Sequence, residues 1–158
     1  MNSEIFLSII IPTYNNPHEL ESLCNSLHHQ LSKEIEVIVI DDGSTIAIKE
    51  LVGKFNFKYF YKNNSGPASS RNYGANLASG RYLLFLDSDT VMPKGMFKKI
   101  LSTAKEENID ICSVFYSEKS NNLGVGQQFK AYFDYFHNCY DVSEGETLSL
   151  QGSSCFFK

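Results

Sequence analysis

Continuous runs of apolar residues alternate along this chain with segments that have a helical pattern. The continuous runs lie at 7–11, 35–40 and 82–86, which is typical of strands buried on both faces of a parallel sheet. Apolar spacing predicts helices over 17–31 and 45–55, the second with Ser44 or Thr45 as its N-cap, and a proline in the first turn predicts helices over 67–78 and 93–107. Further strands are predicted within 57–61 and 109–115. The order of elements indicates an α/β fold with a Rossmann-like, mostly parallel sheet and helices on both faces.

The pattern is weaker after residue 115. Residues 129–140 are rich in aromatic side chains and predict a helix, and residues 147–157 predict a strand or a strand pair. Lys158 follows this last strand directly, with no loop or cap after it. We therefore expect the domain to be truncated at its C-terminus.

Composition and charge exclude several classes of protein. The 158 residues carry a net charge of −4 without a cluster of Lys or Arg, which argues against a nucleic-acid partner. The four cysteines are scattered and favour neither a zinc site nor a disulfide framework. No apolar stretch reaches the roughly 18 residues of a membrane span, and no signal peptide is recognisable. We expect a cytoplasmic protein without a transmembrane segment, with the inner face of a membrane as an alternative location.

Acidic residues gather where the predicted strands end. The first strand leads into PTYNNP, the second into DDGS with Asp41 and Asp42, and the strand at 82–86 into DSDT with Asp87 and Asp89. Ligands of open parallel sheets bind beyond the carboxyl ends of the strands. Carboxylates crowded there favour a hard divalent cation such as Mg²⁺ or Mn²⁺. Each motif alone is also a common turn sequence, but their joint placement at successive strand ends favours a binding site.

Three segments in order carry a family resemblance: SIIIPTYNN, EVIVIDDGST and NNSGPASSRNYGANLASGRYLLFLDSDTVMP. Together they resemble the nucleotide-binding half of a family 2 glycosyltransferase with the GT-A fold. The resemblance implies a metal-dependent, inverting transfer of a sugar from a nucleotide-diphospho-sugar, a UDP- or GDP-sugar, to the hydroxyl of a saccharide or lipid-linked acceptor. It implies Mn²⁺ or Mg²⁺ as cofactor. We predict one domain over 1–158, with a nucleotide-binding part over about 1–115 and an incomplete acceptor part over about 116–158.

The resemblance also implies roles for individual residues. Asp89 would bind the metal directly, and Asp87 would lie beside both the ribose and the metal. Asp41 and Asp42 would lie near the base and ribose, and Arg71 matches a donor-site arginine, although an exposed helix arginine is the alternative. The predicted nucleotide-sugar site comprises Pro12, Thr13, Tyr14, Asp41, Asp42, Arg71, Asp87 and Ser88.

The general base that an inverting reaction needs has no candidate in a matching motif. The late acids do not match the family's base segment, and we expect the base to lie beyond Lys158; these acids are Asp134, Asp141, Glu144 and Glu146.

Two alternative functions remain open from the sequence. LLFLDSDTV also fits the signature of haloacid-dehalogenase-like phosphatases, in which Asp87 would be the nucleophile, although that motif normally lies near the start of the chain. The second alternative is a module that binds a nucleotide sugar without transferring it. A dinucleotide-binding domain is disfavoured because PTYNNP replaces the glycine-rich turn after the first strand.

Overall fold

The computed structural model describes residues 4–107, 111–113 and 155–157. In this part of the chain the elements follow one another as β1 (Leu7–Thr13), α1 (Pro17–His28), β2 (Ile35–Asp41), α2 (Lys49–Gly53), β3 (Lys58–Tyr61), α3 (Pro67–Leu77), β4 (Tyr82–Phe85), α4 (Met96–Glu107), β5 (Ile111–Ser113) and β6 (Cys155–Phe157). The described strands form one sheet in the order β3-β2-β1-β4-β6-β5. Strands β1 to β4 pair in parallel, whereas β6 pairs antiparallel with β4 and β5. The predicted mostly parallel α/β sheet is confirmed.

The central strands explain the apolar runs in the sequence. Every residue of β1 and of β2 is buried. Strand β1 lies between β2 and β4, and the chain adds β2 and β3 on one side before it crosses to add β4 on the other. The strand order therefore reverses between β1 and β4, and the carboxyl ends of these strands are where ligands of such sheets bind.

Helices cover both faces of the sheet, as predicted. On one face, Leu7, Ile9 and Ile11 of β1 belong to the larger apolar cluster. Helices α1, α2 and α4 contribute to that cluster the buried residues Leu20, Leu23, Cys24, Leu27, Val52, Phe97 and Ala104. On the other face, Ile10 and its neighbours on β2 pack against residues of α3. The alternation of side chains along β1 thus divides the core into two layers.

Helix α3 lies unusually close to the sheet at Gly74. A Cβ atom at this position would lie 2.4 Å from Cγ2 of Ile10 and 3.2 Å from Cγ1 of Ile40. Only a residue without a side chain fits this contact while the helix keeps its position. Gly74 therefore sets how closely α3, which carries Arg71, approaches the strand ends.

Three predicted helix boundaries are wrong. Helix α2 covers Lys49–Gly53 rather than 45–55, because Ser44 and Thr45 form hydrogen bonds with Asn15 instead of capping a helix. Helix α4 begins at Met96 rather than at residue 93, since Gly95 before it has a left-handed backbone with φ of +82°. Helix α1 ends at His28, about one turn earlier than predicted.

Two predictions for the second half of the chain cannot be compared with the structure. The predicted helix over 129–140 lies outside the described residues, as does most of the predicted strand region over 147–157. Within that region, Cys155–Phe157 forms β6. No helix in the described part of the chain is both long enough and apolar enough to cross a bilayer.

Candidate functional site

The DSD turn directly follows β4 at the point where the strand order reverses. The N–H of Leu86 donates to the carbonyl of Ile10 at 3.0 Å, which keeps the chain beside β1 up to the turn. Ser88 is only 7% exposed, whereas Asp89 is exposed and the Asp87 side chain is 34% exposed. The turn therefore buries its serine and leaves the Asp89 carboxylate exposed and the Asp87 carboxylate partly exposed.

Thr90 closes this turn. Its N–H and its hydroxyl both donate to the carbonyl oxygen of Asp87, at 3.1 and 2.7 Å. Two hydrogen bonds to one carbonyl restrict the backbone between Asp87 and Thr90. The two carboxylates thus project from a constrained turn rather than from a free loop.

Arg71 reaches the first aspartate of the turn from α3. Its guanidinium donates to Oδ1 of Asp87 at 2.5 Å, and the Arg71 side chain is 29% exposed. Arg71 is therefore part of the strand-end cluster, and its alternative interpretation as a merely exposed helix arginine is not supported. Among the described residues, Asp89 has no ion-pair partner.

The carboxylate of Asp42 holds the loop between β3 and α3. It accepts hydrogen bonds from the N–H groups of Ser65 and Gly66, at 3.0 and 2.8 Å, and forms an ion pair with Lys62. Burial alone would raise the pKa of this carboxyl, but these hydrogen bonds outweigh burial and lower it below its ordinary value of 3.8. Asp42 is therefore a charged, 4% exposed anchor at the end of β2.

Asp41 is also engaged by the protein itself. Its carboxylate accepts from the N–H of Ser44 at 2.9 Å and from the hydroxyl of Tyr59 at 2.7 Å. Burial and the bond to Asp41 raise the pKa of the Tyr59 phenol, so Tyr59 remains a hydrogen-bond donor. Asp41 therefore joins the loop after β2 to strand β3.

The end of β1 lies between these two groups. Pro12 and Thr13 are buried within the strand, whereas the Tyr14 side chain just after it is half exposed. The N–H of Asp42 donates to the carbonyl of Thr13 at 2.9 Å. The structure thus brings the predicted residues of the first and second strand ends into contact through the backbone.

Two asparagines that sequence reasoning did not assign connect the three strand ends. Asn16 bonds to Thr13 and to Ser88, and Asn15 bonds to Ser44 and Thr45. The signal available in the sequence was weak. Two polar residues after a buried strand are typical of any turn, although the left-handed φ of 52° at Asn15 is a conformation that asparagine adopts more readily than most residues.

The carboxylates of the DSD turn suit a hard divalent cation. Mg²⁺ and Mn²⁺ prefer oxygen ligands, and Mg²⁺ typically takes one or two carboxylates and completes its shell with water and substrate phosphates. No group of three or more potential metal-binding side chains occurs in the part of the chain that the structure describes. Asp87 and Asp89 therefore fit a metal that is shared with a phosphorylated ligand rather than a closed structural site.

A general base is not identified by the geometry. Asp41 and Asp42 are buried and hydrogen-bonded, and the remaining strand-end acids are those of the DSD turn. The four late acids named above lie outside the described residues. The identity of the base stays open.

Comparison with known proteins assigns this arrangement to one family. The family model described as Glycosyl transferase family 2 matches residues 8–157. An uncharacterised glycosyltransferase of Rickettsia conorii is 38% identical over 122 residues, a match that covers 75% of this chain and 20% of the relative. The chain thus spans about a fifth of that relative's length.

The chain is also similar to solved structures. TarS residues 1–349 of S. aureus, in complex with UDP-GlcNAc, is 34% identical with a TM-score of 0.69, over 76% of this chain and 36% of that one. A mannosyltransferase of Pyrobaculum calidifontis, in complex with GDP-Man and Mn²⁺, has a TM-score of 0.72 at 19% identity, over 96% of this chain and 44% of that one. At that identity the second structure supports the fold alone.

Proposed function

The chain belongs to glycosyl transferase family 2, and we propose that it provides the donor and metal site of a metal-dependent, inverting glycosyltransferase. The fold is the α/β fold of the GT-A glycosyltransferases, as the sequence resemblance predicted. The donor in this proposal is a nucleotide-diphospho-sugar, and the acceptor is the hydroxyl of a saccharide or a lipid-linked saccharide.

The observation that carries the proposal is the orientation of the DSD turn at the reversal of strand order. Asp89 is exposed and Asp87 is partly exposed, whereas Ser88 between them is buried. Two such carboxylates on a constrained turn would hold Mn²⁺ or Mg²⁺ and leave positions open for a diphosphate. When bound there, the cation supplies positive charge beside the group on which negative charge accumulates as the sugar–phosphate bond breaks.

The reaction exchanges one bond at the anomeric carbon. The acceptor oxygen forms a bond to that carbon while the carbon–oxygen bond to the diphosphate breaks, and the nucleoside diphosphate leaves with the electron pair. Attack from the side opposite the leaving group inverts the configuration. The proton of the acceptor hydroxyl passes to a general base, which remains unassigned. The residues of this chain would orient the donor and fix the leaving group.

The end of β2 would form the base and ribose side of the site. Asp41 and Asp42 lie there, across β1 from the DSD turn. Because both carboxylates are buried and bonded to protein groups, we infer that they act mainly by holding the loops that line this side. The half-exposed Tyr14 and the backbone of Pro12 and Thr13 would contact the nucleotide between the two sides.

Arg71 would contribute positive charge near the diphosphate. In the structure its guanidinium is bonded to Asp87, so the same group lies within reach of both the metal ligand and the bound donor. A guanidinium suits this place because its charge persists at any physiological pH and its planar donors match phosphate oxygens.

The nucleotide is a UDP or GDP derivative in this proposal. The S. aureus TarS structure contains UDP-GlcNAc. UDP- and GDP-sugars share a diphosphate, which is the part that the DSD turn and its cation would hold.

A turnover assay tests the proposal directly. The chain is incubated with UDP- and GDP-sugars, Mn²⁺ or Mg²⁺ and a panel of saccharide and lipid-linked acceptors, and NMR follows the anomeric configuration of the product. Metal-dependent transfer with inversion supports the proposal, as does metal-dependent hydrolysis of the donor, in which water replaces the acceptor and the bound cation stabilises the leaving diphosphate. Binding of a nucleotide sugar with neither transfer nor hydrolysis favours the non-catalytic module, and a transfer product with retained configuration contradicts the mechanism.

The phosphatase alternative has no support in the structure. Asp87 follows the fourth strand in chain order, and Arg71 forms an ion pair with it. For Asp87 to act as a nucleophile, a phosphomonoester would have to take the position beside Asp87 that the Arg71 guanidinium occupies. Release of phosphate from a phosphomonoester, lost in Asp87→Asn, would nevertheless establish that reaction and overturn the proposed one.

A further inference from the structure

Asn16 connects the end of β1 to the middle of the DSD turn. Its Oδ1 accepts a hydrogen bond from the Thr13 hydroxyl at 2.5 Å, and its Nδ2 donates to the Ser88 hydroxyl at 2.5 Å. Thr13 and Ser88 are 3% and 7% exposed, so water competes little for these contacts. Because the amide oxygen is held by Thr13, the amide N–H groups face Ser88.

Anchoring Ser88 sets the direction of both metal-binding carboxylates. Ser88 is the buried residue of the turn, and its neighbours Asp87 and Asp89 are partly exposed and exposed. A rotation of the turn that freed Ser88 would also move Asp87 and Asp89. The contact from Asn16 opposes that rotation from across the sheet, 72 residues away in the sequence.

Asn15 makes the equivalent connection in the opposite direction, toward β2. Its N–H donates to the Ser44 hydroxyl at 2.9 Å, and its Oδ1 accepts from the N–H and the hydroxyl of Thr45, at 2.9 and 3.1 Å. The N–H of Ser44 in turn donates to Oδ1 of Asp41 at 2.9 Å. Asn15 therefore holds the loop that follows Asp41 and Asp42.

We propose that Asn15 and Asn16 are positioning residues that set the two sides of the donor site independently. Asn16 sets the DSD turn, and through it the metal, whereas Asn15 sets the base and ribose side. The inference rests on the proposed function, since it assigns these residues to the same site. It follows from the position of β1 between β2 and β4, because the loop after β1 adjoins the ends of both neighbouring strands.

The experiment separates metal-dependent from metal-independent binding. Calorimetry gives the affinity of the full chain for UDP and GDP with Mn²⁺ and with EDTA, and the ratio of the two affinities is the metal increment. Asn16→Ala is expected to lower the metal increment by about three- to tenfold, the range for one lost side-chain hydrogen bond, and to leave the affinity in EDTA unchanged. Asn15→Gly keeps the left-handed backbone and the N–H that donates to Ser44, and it removes the two side-chain bonds to Thr45. It is expected to lower both affinities equally, so that its metal increment is unchanged.

Three further variants test for a general structural effect. Ser88→Ala removes the same hydrogen bond with a smaller change of structure and is expected to reproduce Asn16→Ala. Asn16→Ala also removes the bond from the Thr13 hydroxyl, but both single variants remove the bond between Asn16 and Ser88. The double variant is therefore expected to lose no more of the metal increment than Asn16→Ala. Gln30→Ala is the control. The Gln30 amide also joins two segments, since it accepts from the N–H of Gly95 at 2.8 Å and donates to the carbonyls of Ser26 and Met92, at 2.7 and 3.3 Å. None of these three bonds is to a strand-end acid.

The outcomes distinguish this inference from the proposed function. A parent chain without any metal increment overturns both. A parent with a metal increment that Asn16→Ala and Ser88→Ala leave intact overturns the inference alone. Equal losses in Mn²⁺ and EDTA for Asn16→Ala, together with a lower melting temperature, also overturn it, because they indicate a role in folding only. The affinity for Mn²⁺ alone, measured by electron paramagnetic resonance of the free ion, is expected to fall with Asn16→Ala and not with Asn15→Gly.

Discussion

The guanidinium of Arg71 donates a hydrogen bond to Oδ1 of Asp87 at 2.5 Å, so the first aspartate of the DSD turn has a cationic partner within the chain. Among the described residues, Asp89 has no such partner. The two carboxylates of the turn therefore differ. Asp87 is balanced in charge and oriented by α3, whereas Asp89 is available to a cation.

Removal of Arg71 is predicted to change metal and nucleotide affinity in opposite directions. Arg71→Ala removes a cation that competes at Asp87, and Mn²⁺ alone should bind about two- to fivefold more tightly, the range for a partly exposed ion pair. Nucleotide affinity in EDTA should fall, because the diphosphate loses a positive neighbour. Electron paramagnetic resonance measures the first effect and calorimetry the second.

Lys105→Ala is the matched control for Arg71→Ala. It breaks the exposed ion pair between Lys105 and Glu34, 2.9 Å apart, and should change neither affinity. Weaker Mn²⁺ binding in Arg71→Ala would show that the arginine orients Asp87 for the metal rather than competing with it.

Asp42→Asn is predicted to destabilise the fold by about 1–3 kcal/mol. The substitution weakens the hydrogen bonds that the buried carboxylate accepts from the N–H groups of Ser65 and Gly66, and it leaves Lys62 without its opposite charge. Urea unfolding measures this loss. Nucleotide affinity should fall as the loop at Ser65 and Gly66 loosens, whereas the affinity for Mn²⁺ alone should change little. If nucleotide affinity falls while the free energy of unfolding is unchanged, the carboxylate acts on the ligand alone.

Gly74→Ala and Gly53→Ala are predicted to have opposite effects on stability. Alanine favours a helix over glycine by roughly 1 kcal/mol. At Gly74 a Cβ atom would collide with Ile10, and the net loss should be about 1–3 kcal/mol. At Gly53 no atom lies within 4 Å of the added Cβ atom, so that variant should gain stability. Urea unfolding of both variants tests the close approach of α3, and a stabilised Gly74→Ala would contradict it.

The stability of the fold is predicted to fall in acid through Glu36. This carboxylate is 8% exposed and accepts hydrogen bonds from Lys58 and Ser8, at 2.6 and 2.5 Å. Burial would raise its pKa, but the hydrogen bonds and the charge of Lys58 lower it below the ordinary 4.5. A group with a lowered pKa in the folded state stabilises the fold above its unfolded pKa and loses that contribution as pH falls.

Urea unfolding at several pH values measures the contribution of Glu36. The parent should lose stability as pH drops below about 4.5, and Glu36→Gln should have a flatter pH dependence in that range. Glu34→Gln removes an exposed carboxylate and is the control. Identical pH profiles for the parent and Glu36→Gln would remove Glu36 as the cause.

The sequence predicted the strands well, because β1 and β2 are buried on both faces and only continuous apolar runs satisfy that environment. It predicted the acids at one edge of the sheet, since the carboxyl ends of parallel strands share an edge. It could not predict that α2 begins after residue 48. Ser44 and Thr45 have the chemistry of N-caps, but here they bond across the loop to Asn15, and local propensity does not encode that choice.

The internal contacts of the site were also beyond sequence reasoning. The hydrogen bond from Asn16 to Ser88 joins two loops, and hydrophobic periodicity gives no indication that these loops are in contact. Asp42 illustrates the same limit. The motif correctly predicted that Asp42 lies at the end of a strand. It could not predict that the N–H groups of Ser65 and Gly66 donate to the Asp42 carboxylate, because this contact depends on the position of the β3–α3 loop.

The most direct test of the proposed donor and metal site is the metal increment of Asp89→Asn compared with that of the parent chain, measured by titration with UDP and GDP in Mn²⁺ and in EDTA. Asparagine keeps the shape of the side chain but removes the charge. We expect the parent to bind one of the nucleotides at least about tenfold more tightly with the metal, and Asp89→Asn to lose most of that increment while its affinity in EDTA is retained. Equal affinity of the parent with and without Mn²⁺, or a full increment in Asp89→Asn, would contradict the assignment of the DSD turn as the metal site.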